Sequence, residues 1–391
     1  MSDPRAPRTA RNPIEVQVRL VDPLQLDSAA LAEWARLEER SFESNVYLSP
    51  HFVLPAIRHL DPSHPPFMLL AERADRSRDR LCGVGLFRKE GPTWRFPLPH
   101  LSAYRSRHSY LTGILADRDL APPVVDGFLG YLCQQGLGWH GVEFGDLAID
   151  SGIGPLLLAR AQMRGVPWYE YSRCQRAALK PTEAGEDYLE QQLSAGRRKD
   201  LRRRERRLSE QGAVEWQATH GTDLSNEHIE RFLALEHTGW KGNYGTSLRS
   251  QSADAAFFRE LIRRMARAGR AVITELRVAD EVIASTSNLV SGNAAFAFKL
   301  GWHADYKKMA PGILNEIELV RHAPTLFGDC EYIDSGSLPG SFMEELWAGR
   351  RTLAFGALAT TTLGRRALGA FNWLHRLRRT LVPARRRECS K

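Results

Sequence analysis

The order of apolar and polar residues after position 213 restricts the fold more than any other feature of the sequence. Apolar residues alternate with polar ones in some segments and recur at helical spacing in others. The pattern predicts a strand, two helices, three antiparallel strands joined by tight turns, a helix and two further strands. These elements fall at residues 214–218, 226–237, 253–268, 271–278, 281–289, 294–300, 312–323, 332–334 and 352–357.

The first half of the chain shows a fainter version of the same order. Its elements fall at residues 14–20, 31–37, 50–60, 67–71, 81–88, 124–133, 141–145, 153–163 and 176–179. Strands that alternate with helices predict an α/β fold with mixed central sheets, and the repeated order predicts two tandem domains. We place these domains at residues 14–183 and 212–360, after a disordered lead at 1–13.

Basic residues are concentrated in two segments of the 391-residue chain, whose net charge is +8. Residues 184–211 predict a basic helix that joins the two domains. Residues 361–391 predict a basic amphipathic helix at the C-terminus. Basic surfaces of this kind meet nucleic acid, an anionic membrane or a phosphorylated cofactor, and composition does not choose among them.

The C-terminal helix has one apolar stripe at helical spacing, with arginines on its other faces. The stripe contains Ala367, Phe371, Leu374, Leu377 and Leu381. It could dock on the second domain, which we favour because stripes at this spacing usually pack. It could also lie on an anionic membrane surface.

Several motifs of known chemistry are missing from the sequence. No GxxxxGK[ST], GxGxxG, HExxH or GxSxG pattern occurs, which argues against ATP use, dinucleotide cofactors, zinc proteolysis and serine hydrolysis. The five cysteines are widely spaced and include no CxxC pair, so we predict neither a metal site nor a disulfide framework. The first residues lack an apolar signal region, and we expect a cytoplasmic protein.

The basic segment at residues 194–212 is the first candidate binding site. It contains seven arginines and one lysine within about three helical turns. A solvated helix between domains is one interpretation. The other is an anion site in which Arg198, Arg202 and their neighbours hold the phosphates of a nucleotide carrier or of tRNA.

A second candidate site lies at a predicted helix end, in the segment LEHTGWKGNY at residues 235–244. Glu236 or His237 could act as a general base on an amine or hydroxyl acceptor. Trp240 could wall a substrate pocket, and Lys241 could bind phosphate or an oxyanion. A packed helix terminus explains the same residues without function.

A third candidate lies where a strand leads through a basic loop into a helix, at residues 296–318. The helix is predicted to begin at Pro311-Gly312, because proline suits the first helical position. The first amide groups of a helix lack internal partners, so a pyrophosphate could bind there beside Lys307 and Lys308. The fourth candidate is Asp334, a carboxylate at a strand end that we expect to face a cleft.

These segments together resemble a known family. The chain is similar to acetyltransferases of the Gcn5-related (GNAT) superfamily, of the BioF2-like and cellulose-biosynthesis CelD/BcsL class, which are distant relatives of the FemAB peptidyltransferases. The resemblance covers residues 14–357. It is carried by RRKDLRRRERRL before Gly212, by LEHTGWKG, by FKLGWHADYKKMAPG, and by Asp334 followed by LW and RR.

The resemblance implies acyl transfer from an acyl-CoA to an amine or hydroxyl, with no metal. It places Glu236, Trp240 and Lys241 in the acceptor motif. It places Lys299, Tyr306, Pro311 and Gly312 in the motif that leads to the phosphate-facing helix, and Asp334 at an acidic strand end. Some relatives take an aminoacyl group from tRNA instead, and several are linked to exopolysaccharide or envelope synthesis.

We therefore predict an acyl-CoA-dependent acyltransferase, with acetyl-CoA as the first donor to consider. The acceptor would be a small molecule or an exopolysaccharide-related precursor. The catalytic candidates are Glu236, His237 and Asp334. Two alternatives stay open: aminoacyl transfer from charged tRNA, and a non-catalytic scaffold peripheral to the inner membrane.

Overall fold

The computed structural model describes residues 15–74 and 80–381, and all of their side chains except those of Trp240 and residues 374–381. The predicted lead at 1–13 and the last ten residues of the predicted C-terminal helix lie outside the described residues. So do the side chains of Leu374, Leu377 and Leu381.

The described part of the first half contains seven strands and four helices, and all of these except β4 and β5 were expected, in this order, from the sequence. The strands are β1 (Val16–Val21), β2 (Phe67–Arg73), β3 (Leu81–Glu90), β4 (His100–Ala103), β5 (Leu115–Ala116), β6 (Gly141–Ala148) and β7 (Trp168–Leu179). The helices are α1 (Ser28–Glu39), α2 (Pro50–His59), α3 (Ala121–Leu132) and α4 (Ile153–Met163). Side chains of Asp27 and Ser49 cap α1 and α2, as residues of these types commonly do.

The rest of the described chain contains eight helices and six strands. The helices are α5 (Glu186–Gln192), α6 (Ala195–Ser209), α7 (Asn226–Thr238), α8 (Trp240–Asn243), α9 (Ser252–Arg267), α10 (Pro311–Phe327), α11 (Met343–Leu346) and α12 (Thr362–Leu381). The strands are β8 (Val214–His220), β9 (Ala271–Val278), β10 (Glu281–Ser291), β11 (Ala294–Trp302), β12 (Tyr332–Asp334) and β13 (Gly349–Ala359). A 3-10 helix, Ala304–Met309, precedes α10.

The predicted linking helix is in fact two helices. Leu193 is extended, which ends α5, and the Ser194 side chain accepts a hydrogen bond from the Arg197 amide at 3.2 Å. Serine in this position is a strong helix N-cap, so a new helix begins there. The prediction of one uninterrupted helix over 184–211 is therefore wrong.

All strands join one mixed sheet, in the order β1-β2-β3-β4-β6-β13-β7-β12-β11-β10-β9-β8, with β5 paired to β3. The order reads almost the same from either end, with β1 to β4 and β6 mirrored by β8 to β12. Most neighbours are antiparallel, whereas β4 with β6 and β11 with β12 are parallel. The α/β class with a mixed sheet and repeated halves is confirmed, but the two sheets are continuous.

The centre of the sheet is built by an exchange of strands between the halves. The last strand of the first half, β7, pairs with β12, and the last strand of the second half, β13, pairs with β6. β7 and β13 also pair with each other over ten residue pairs. Neither half therefore completes its sheet alone.

A shared aromatic core strengthens this union. Phe52 on α2 lies 5.3 Å from Phe257 on α9 and 6.0 Å from Phe298 on β11, between ring centroids. All three side chains are buried. Each such ring buries a large apolar surface, so separating the halves would expose part of one continuous core.

Four charged side chains are buried where the exchanged strands meet. Arg351 on β13 donates to Asp334 on β12 at 2.9 Å and to Glu43 at 2.6 Å. Arg176 on β7 lies 3.7 Å from Asp334. The Glu43 carboxylate also accepts from the Ile153 amide at the start of α4, at 2.9 Å. We call these four residues the central ion network.

Removing one member of the central ion network should leave its partners charged and buried. We expect Arg351→Met to lower the free energy of unfolding by about 3–5 kcal/mol, the range for breaking a buried pair. Urea unfolding followed by circular dichroism measures it. The control is Arg173→Met on β7, because Arg173 pairs with Glu170 at the surface and should cost under about 1 kcal/mol. Equal losses in both variants would contradict the structural role of the network.

A second buried polar cluster joins α10 to the sheet. Thr286 donates to Glu316 at 2.5 Å, and Asn315 donates to the hydroxyls of Thr274 and Thr286 at 3.0 and 2.9 Å. Burial raises the pKa of Glu316 to about 7, and the hydrogen bond from Thr286 offsets only part of this. Near neutral pH, Glu316 therefore retains a proton for part of the time.

The raised pKa of Glu316 makes stability depend on pH. The ordinary pKa of a glutamate is 4.5, and that of Glu316 in the folded chain is about 7. Between these pH values the unfolded chain has released the proton and the folded chain has not, so stability falls as pH rises. Glu316→Gln removes this loss. As pH rises from acidic to slightly alkaline, we expect the free energy of unfolding of the variant to increase by about 3 kcal/mol relative to that of the parent. Urea unfolding over this pH range measures the gain.

The matched control is Glu215→Gln, because Glu215 is exposed on β8. Its stability difference from the parent should stay flat with pH. A difference for Glu316→Gln that is equally flat would show that the Glu316 carboxyl titrates alike in the folded and unfolded chain.

Candidate active site at the end of β11

Strand β11 carries an irregularity that shapes the candidate site. Ser287 on β10 pairs with Lys299 and Asn288 pairs with Ala297, so Phe298 is an extra residue in a β-bulge. A bulge shifts the alternation of side chains, so Lys299 points to the same face as Phe298 and Gly301. β12 pairs with only the first three residues of β11, which leaves the rest of that edge free of β12.

A loop from the first half reaches this face of the second half. Strands β4 and β5 both pair with β3, and the chain between them, residues 104–114, leaves the sheet. This loop carries Arg107, His108 and Tyr110 towards β11 and α9. We call it the crossing loop.

The ammonium group of Lys299 is held by the crossing loop. Its Nζ atom lies 2.5 Å from the Tyr110 hydroxyl and 3.1 Å from Nδ1 of His108. It also lies about 5 Å from the ring centroids of Tyr110 and Phe298, within the range of cation–π attraction. A lysine restrained by two hydrogen bonds retains one N–H group for a further acceptor.

His108 is neutral at physiological pH. Burial, and then the charge of Lys299, lower its pKa to about 4. Its Nε2 atom lies 2.8 Å from a carboxylate oxygen of Asp254, at the start of α9. The neutral ring therefore donates from Nε2 to Asp254 and accepts at Nδ1 from Lys299. Arg107 donates to the same carboxylate at 2.7 Å.

The end of α7 borders the same stretch of β11. A methyl group added to Gly301 would lie 2.9 Å from the Glu236 backbone, so helix and strand are in close contact. Lys241 donates to Glu236 at 2.9 Å and to the Leu300 carbonyl at 2.8 Å. The other Glu236 oxygen accepts from the Leu248 amide at 2.7 Å.

These contacts separate the residues that the sequence grouped in the acceptor motif. Glu236 is buried, and both of its oxygens accept hydrogen bonds, so it positions Lys241 and the following loop. His237 is exposed, with Nδ1 2.8 Å from the Ser247 hydroxyl, so a proton could be exchanged at its other nitrogen. The side chain of Trp240 lies outside the described residues.

The predicted phosphate-binding residues lie near the start of α10. Lys307 and Lys308 are exposed in the preceding 3-10 helix. Gly312 is buried, and a methyl group there would lie 3.3 Å from Trp302 and 3.4 Å from Leu300. Gly312 thus packs against these side chains, and the amides of Ile313 and Leu314 both donate to the Ala310 carbonyl, so the first turn of α10 offers fewer open amide groups than we expected. Tyr306 points elsewhere, since its hydroxyl donates to Glu281 at 2.8 Å.

The basic helix α6 lies beside these lysines. Arg204 on α6 donates to the Lys308 carbonyl at 2.9 Å, which joins the two basic segments. A groove of about 630 Å³ on α6 is lined by Gly196, Lys199, Asp200, Arg202, Arg203 and Arg206. Arg202 is exposed in this groove, as an anion site requires. Arg198 instead donates to the carbonyls of Glu190 and Leu193 at the end of α5.

The equivalent helix of the first half, α3, is poorly suited to bind an anion. Its first turn contains Pro122 and Pro123, which have no N–H group. Asp117 and Asp119 precede it, where lysines precede α10. The first turn of α10 contains one proline, at its first position. If either half binds a phosphorylated donor in this way, the second half is therefore better suited.

Asp334 does not face an open cleft. Its side chain is about 1% exposed and belongs to the central ion network, which corrects the expected geometry. The network nevertheless reaches the site, because Arg176 also donates to the Tyr110 carbonyl at 2.6 Å. Asp334 can thus act on the site by holding the crossing loop. No group of His, Cys, Asp and Glu residues in the described ranges is arranged to hold a metal ion.

Residues 195–337 match the model of the acetyltransferase (GNAT) domain. The matched segment runs from α6 through the Lys299 site to the turn after β12. No protein of curated function has a matching sequence.

Solved structures resemble the chain over most of its length. FemX covers 83% of this chain and 95% of its own, with a TM-score of 0.55 and 8% identity. L-PGS from Bacillus licheniformis covers 88% and 96%, with a TM-score of 0.51 and 14% identity. A protein of unknown function from Bacteroides thetaiotaomicron covers 88% and 100%, with a TM-score of 0.53 and 12% identity. At such identities the likeness establishes the fold alone.

Sequence analysis missed the residues that surround Lys299. His108, Tyr110 and Asp254 come from the other half or from a helix start, and none belongs to a recognised motif. The one available signal was the segment AYRSRHSYLTG at residues 103–113. It combines aromatic, basic and hydroxyl side chains between two strands, as binding loops commonly do.

The contact between Lys299 and His108 can be tested by titration. Removing the Lys299 charge with Lys299→Met should raise the pKa of His108 from about 4, because a nearby cation opposes protonation. The pKa should stay below its ordinary value, since burial is the larger cause. NMR titration of the histidine ring signals measures it. His51, whose pKa is also lowered to about 4, by burial and then by Arg270, is the internal control.

Equal movement of the His51 and His108 signals would indicate a general change of the fold. An unmoved His108 signal would contradict the contact.

Proposed function

We propose that the chain is an acyltransferase that transfers an acyl group to an amine or hydroxyl beside Lys299. The observation that carries this proposal is the ammonium group held between Tyr110 and His108 within the GNAT domain. It lies on a bulged strand that also borders the end of α7. Such a site offers a fixed positive charge where β11 extends beyond β12, next to groups that can accept or donate protons.

Lys299 would stabilise the negative charge that develops on the carbonyl oxygen during acyl transfer. Two of its N–H groups are committed to Tyr110 and His108, so the third is restrained before substrate arrives. Donors fixed in this way need no reorganisation during the reaction, which makes them effective in partly buried sites. Asp254, which bonds to His108, would be a positioning residue.

His237 would accept the proton of the attacking amine or hydroxyl. Its Nδ1 is held by Ser247, which leaves Nε2 for the acceptor. Glu236, the other base named from sequence, would keep Lys241 against β11. Asp334 would support the crossing loop through Arg176. Trp240 remains a proposed wall of the acceptor pocket.

Acyl-CoA is the donor that we place first. Its phosphates would bind near Lys307 and Lys308, with Arg202 on the neighbouring helix as a further contact. The paired prolines of α3 argue against an equivalent site in the first half. The resemblance to BioF2-like and CelD proteins supports acetyl-CoA as donor and an exopolysaccharide precursor as acceptor. The cysteine pattern supports action in the cytoplasm.

The role of Lys299 predicts a specific kinetic effect. Lys299→Met should lower kcat by about 100- to 1,000-fold with little change in KM for the donor, as for loss of one oxyanion donor. Coenzyme A release from acetyl-CoA, with a panel of amino sugars and amines, measures it. Lys180→Met changes an exposed lysine paired with Glu183 and serves as the control. Full activity in Lys299→Met would overturn the proposal.

The choice of base can be tested in the same assay. We expect His237→Ala to flatten the rise of kcat with pH, because the group that titrates is gone. Glu236→Gln should instead weaken folding or acceptor binding without removing that titration. The opposite pattern would make Glu236 the base.

Donor binding can be tested without knowing the acceptor. Calorimetric titration of the full chain with acetyl-CoA should show saturable binding, weakened at least about tenfold in a Lys307→Ala, Lys308→Ala double variant. Lys180→Ala should bind as the parent does. Absent binding to acetyl-CoA and to a longer acyl-CoA would reject the thioester donor.

A second candidate function is aminoacyl transfer from charged tRNA, as in relatives of the FemAB type. The exposed cations in the α6 groove favour it, because a polyanion could contact several of them. Complexes of this kind release counterions, so tRNA affinity should fall steeply as salt rises. Acetyl-CoA binding should respond far less. Loss of tRNA affinity in Arg202→Gln would support this candidate.

A further inference from the structure

The first turns of α12 dock on the sheet by one face. Leu368 is fully buried, and the Tyr169 hydroxyl donates to the Arg365 carbonyl at 3.2 Å. The Phe371 ring lies 6.0 Å from that of Tyr171. Of the apolar stripe predicted from sequence, Ala367 and Phe371 are half-buried on this side. Docking, which we favoured, thus accounts for one face of the helix.

A second stripe of α12 faces outwards, and it combines apolar side chains with an arginine. Leu363, Arg366, Ala370 and Trp373 are spaced by three, four and three residues, which places them on one side of a helix. All four are exposed, with Leu363 at 50% and Trp373 at 63%. The sequence pattern had suggested a single stripe, whereas the described part of α12 has two.

Another exposed tryptophan stands beside this helix. Trp94, in the turn between β3 and β4, is 69% exposed, and its ring lies 5.6 Å from Phe371. The guanidinium of Arg95 lies 4.7 Å above the Trp94 ring. Arg365 is exposed next to Arg366. We call Trp94, Leu363 and Trp373, with Arg95, Arg365 and Arg366, the α12 patch.

We propose that the α12 patch binds the surface of an anionic lipid bilayer. Tryptophan is the side chain that prefers the boundary between lipid headgroups and acyl chains, and two are exposed here. The arginines of the patch would be attracted to anionic headgroups. The sequence between positions 376 and 387 contains six further arginines, which add to the positive charge of this part of the chain.

The helix would lie along the membrane surface rather than cross it. Its inner face is already packed on β7 and β13 through Leu368, so only the outer face can meet lipid. No helix in the described ranges is long and apolar enough to span a bilayer. A helix with apolar and basic residues at its outer side is suited to the headgroup region. This inference is independent of the acyl-transfer chemistry.

The test is cosedimentation of the full chain with lipid vesicles. Vesicles of phosphatidylcholine with phosphatidylglycerol should bind it at least about tenfold more strongly than vesicles of phosphatidylcholine alone. Binding should weaken as salt rises, because the attraction to headgroups is screened. A Trp94→Ala, Trp373→Ala double variant should lose at least about tenfold in affinity, and so should Arg365→Gln with Arg366→Gln.

Two controls separate the patch from other basic or apolar surfaces. Met163→Ala removes an apolar side chain that is 76% exposed on α4 and should bind vesicles as the parent does. Arg203→Gln with Arg206→Gln lowers the charge of α6 and should also leave binding intact. Circular dichroism checks that each variant is folded.

Each remaining outcome overturns the proposal. Equal binding to neutral and anionic vesicles would remove the role of charge, and no binding at low salt would remove the membrane altogether. Binding lost in the α6 variant but kept in both α12 variants would place the lipid contact on α6. The salt dependence of the unmodified chain decides the role of charge even if a variant fails to fold.

Discussion

The ion pair between Arg351 and Asp334 is the interaction on which the rest of the structure depends. It joins β13 to β12 across β7, at the place where the two halves have exchanged their last strands. Arg176 on β7 and Glu43, in the chain between α1 and α2, extend it, so two positive charges face two negative ones. Buried ions without partners are strongly unfavourable. These charges have their partners only when the exchanged strands pair correctly. A different order of the central strands would leave at least one of these groups without its partner.

The same network connects stability to the candidate active site. Arg176 donates to the Tyr110 carbonyl, and the Tyr110 hydroxyl contacts Lys299. The crossing loop is thus held at Tyr110 by the ion network and at His108 by Asp254. Lys299 lies in the segment that matches the GNAT domain model, but the groups that orient it come largely from the first half. A second domain separated from the first would lack these groups, and this gives the tandem arrangement a chemical reason.

The two halves share a fold and differ in the chemistry at equivalent places. In the first half, helix α3 begins with two prolines and follows two aspartates. In the second half, the equivalent helix α10 begins with one proline and follows two lysines. Lysines beside a helix start attract anions, whereas aspartates repel them, so these few residues favour the second half as the donor side. The first half supplies the crossing loop instead, which extends towards its neighbour.

The sequence by itself determined the kind and order of most elements, because helix and strand periods are local properties. The bounds of α4, α7 and the strands β9 to β12 follow from them closely, and the GNAT resemblance identified the segments around Glu236, Lys299 and Gly312. Four-residue β4 and the break at Ser194 escaped the pattern. Only the tertiary structure decided the strand exchange, the partners of Asp334 and the contact between Lys299 and Tyr110, which are 189 residues apart. Such contacts depend on which surfaces meet when the chain packs, and periodicity along one segment carries no information about that.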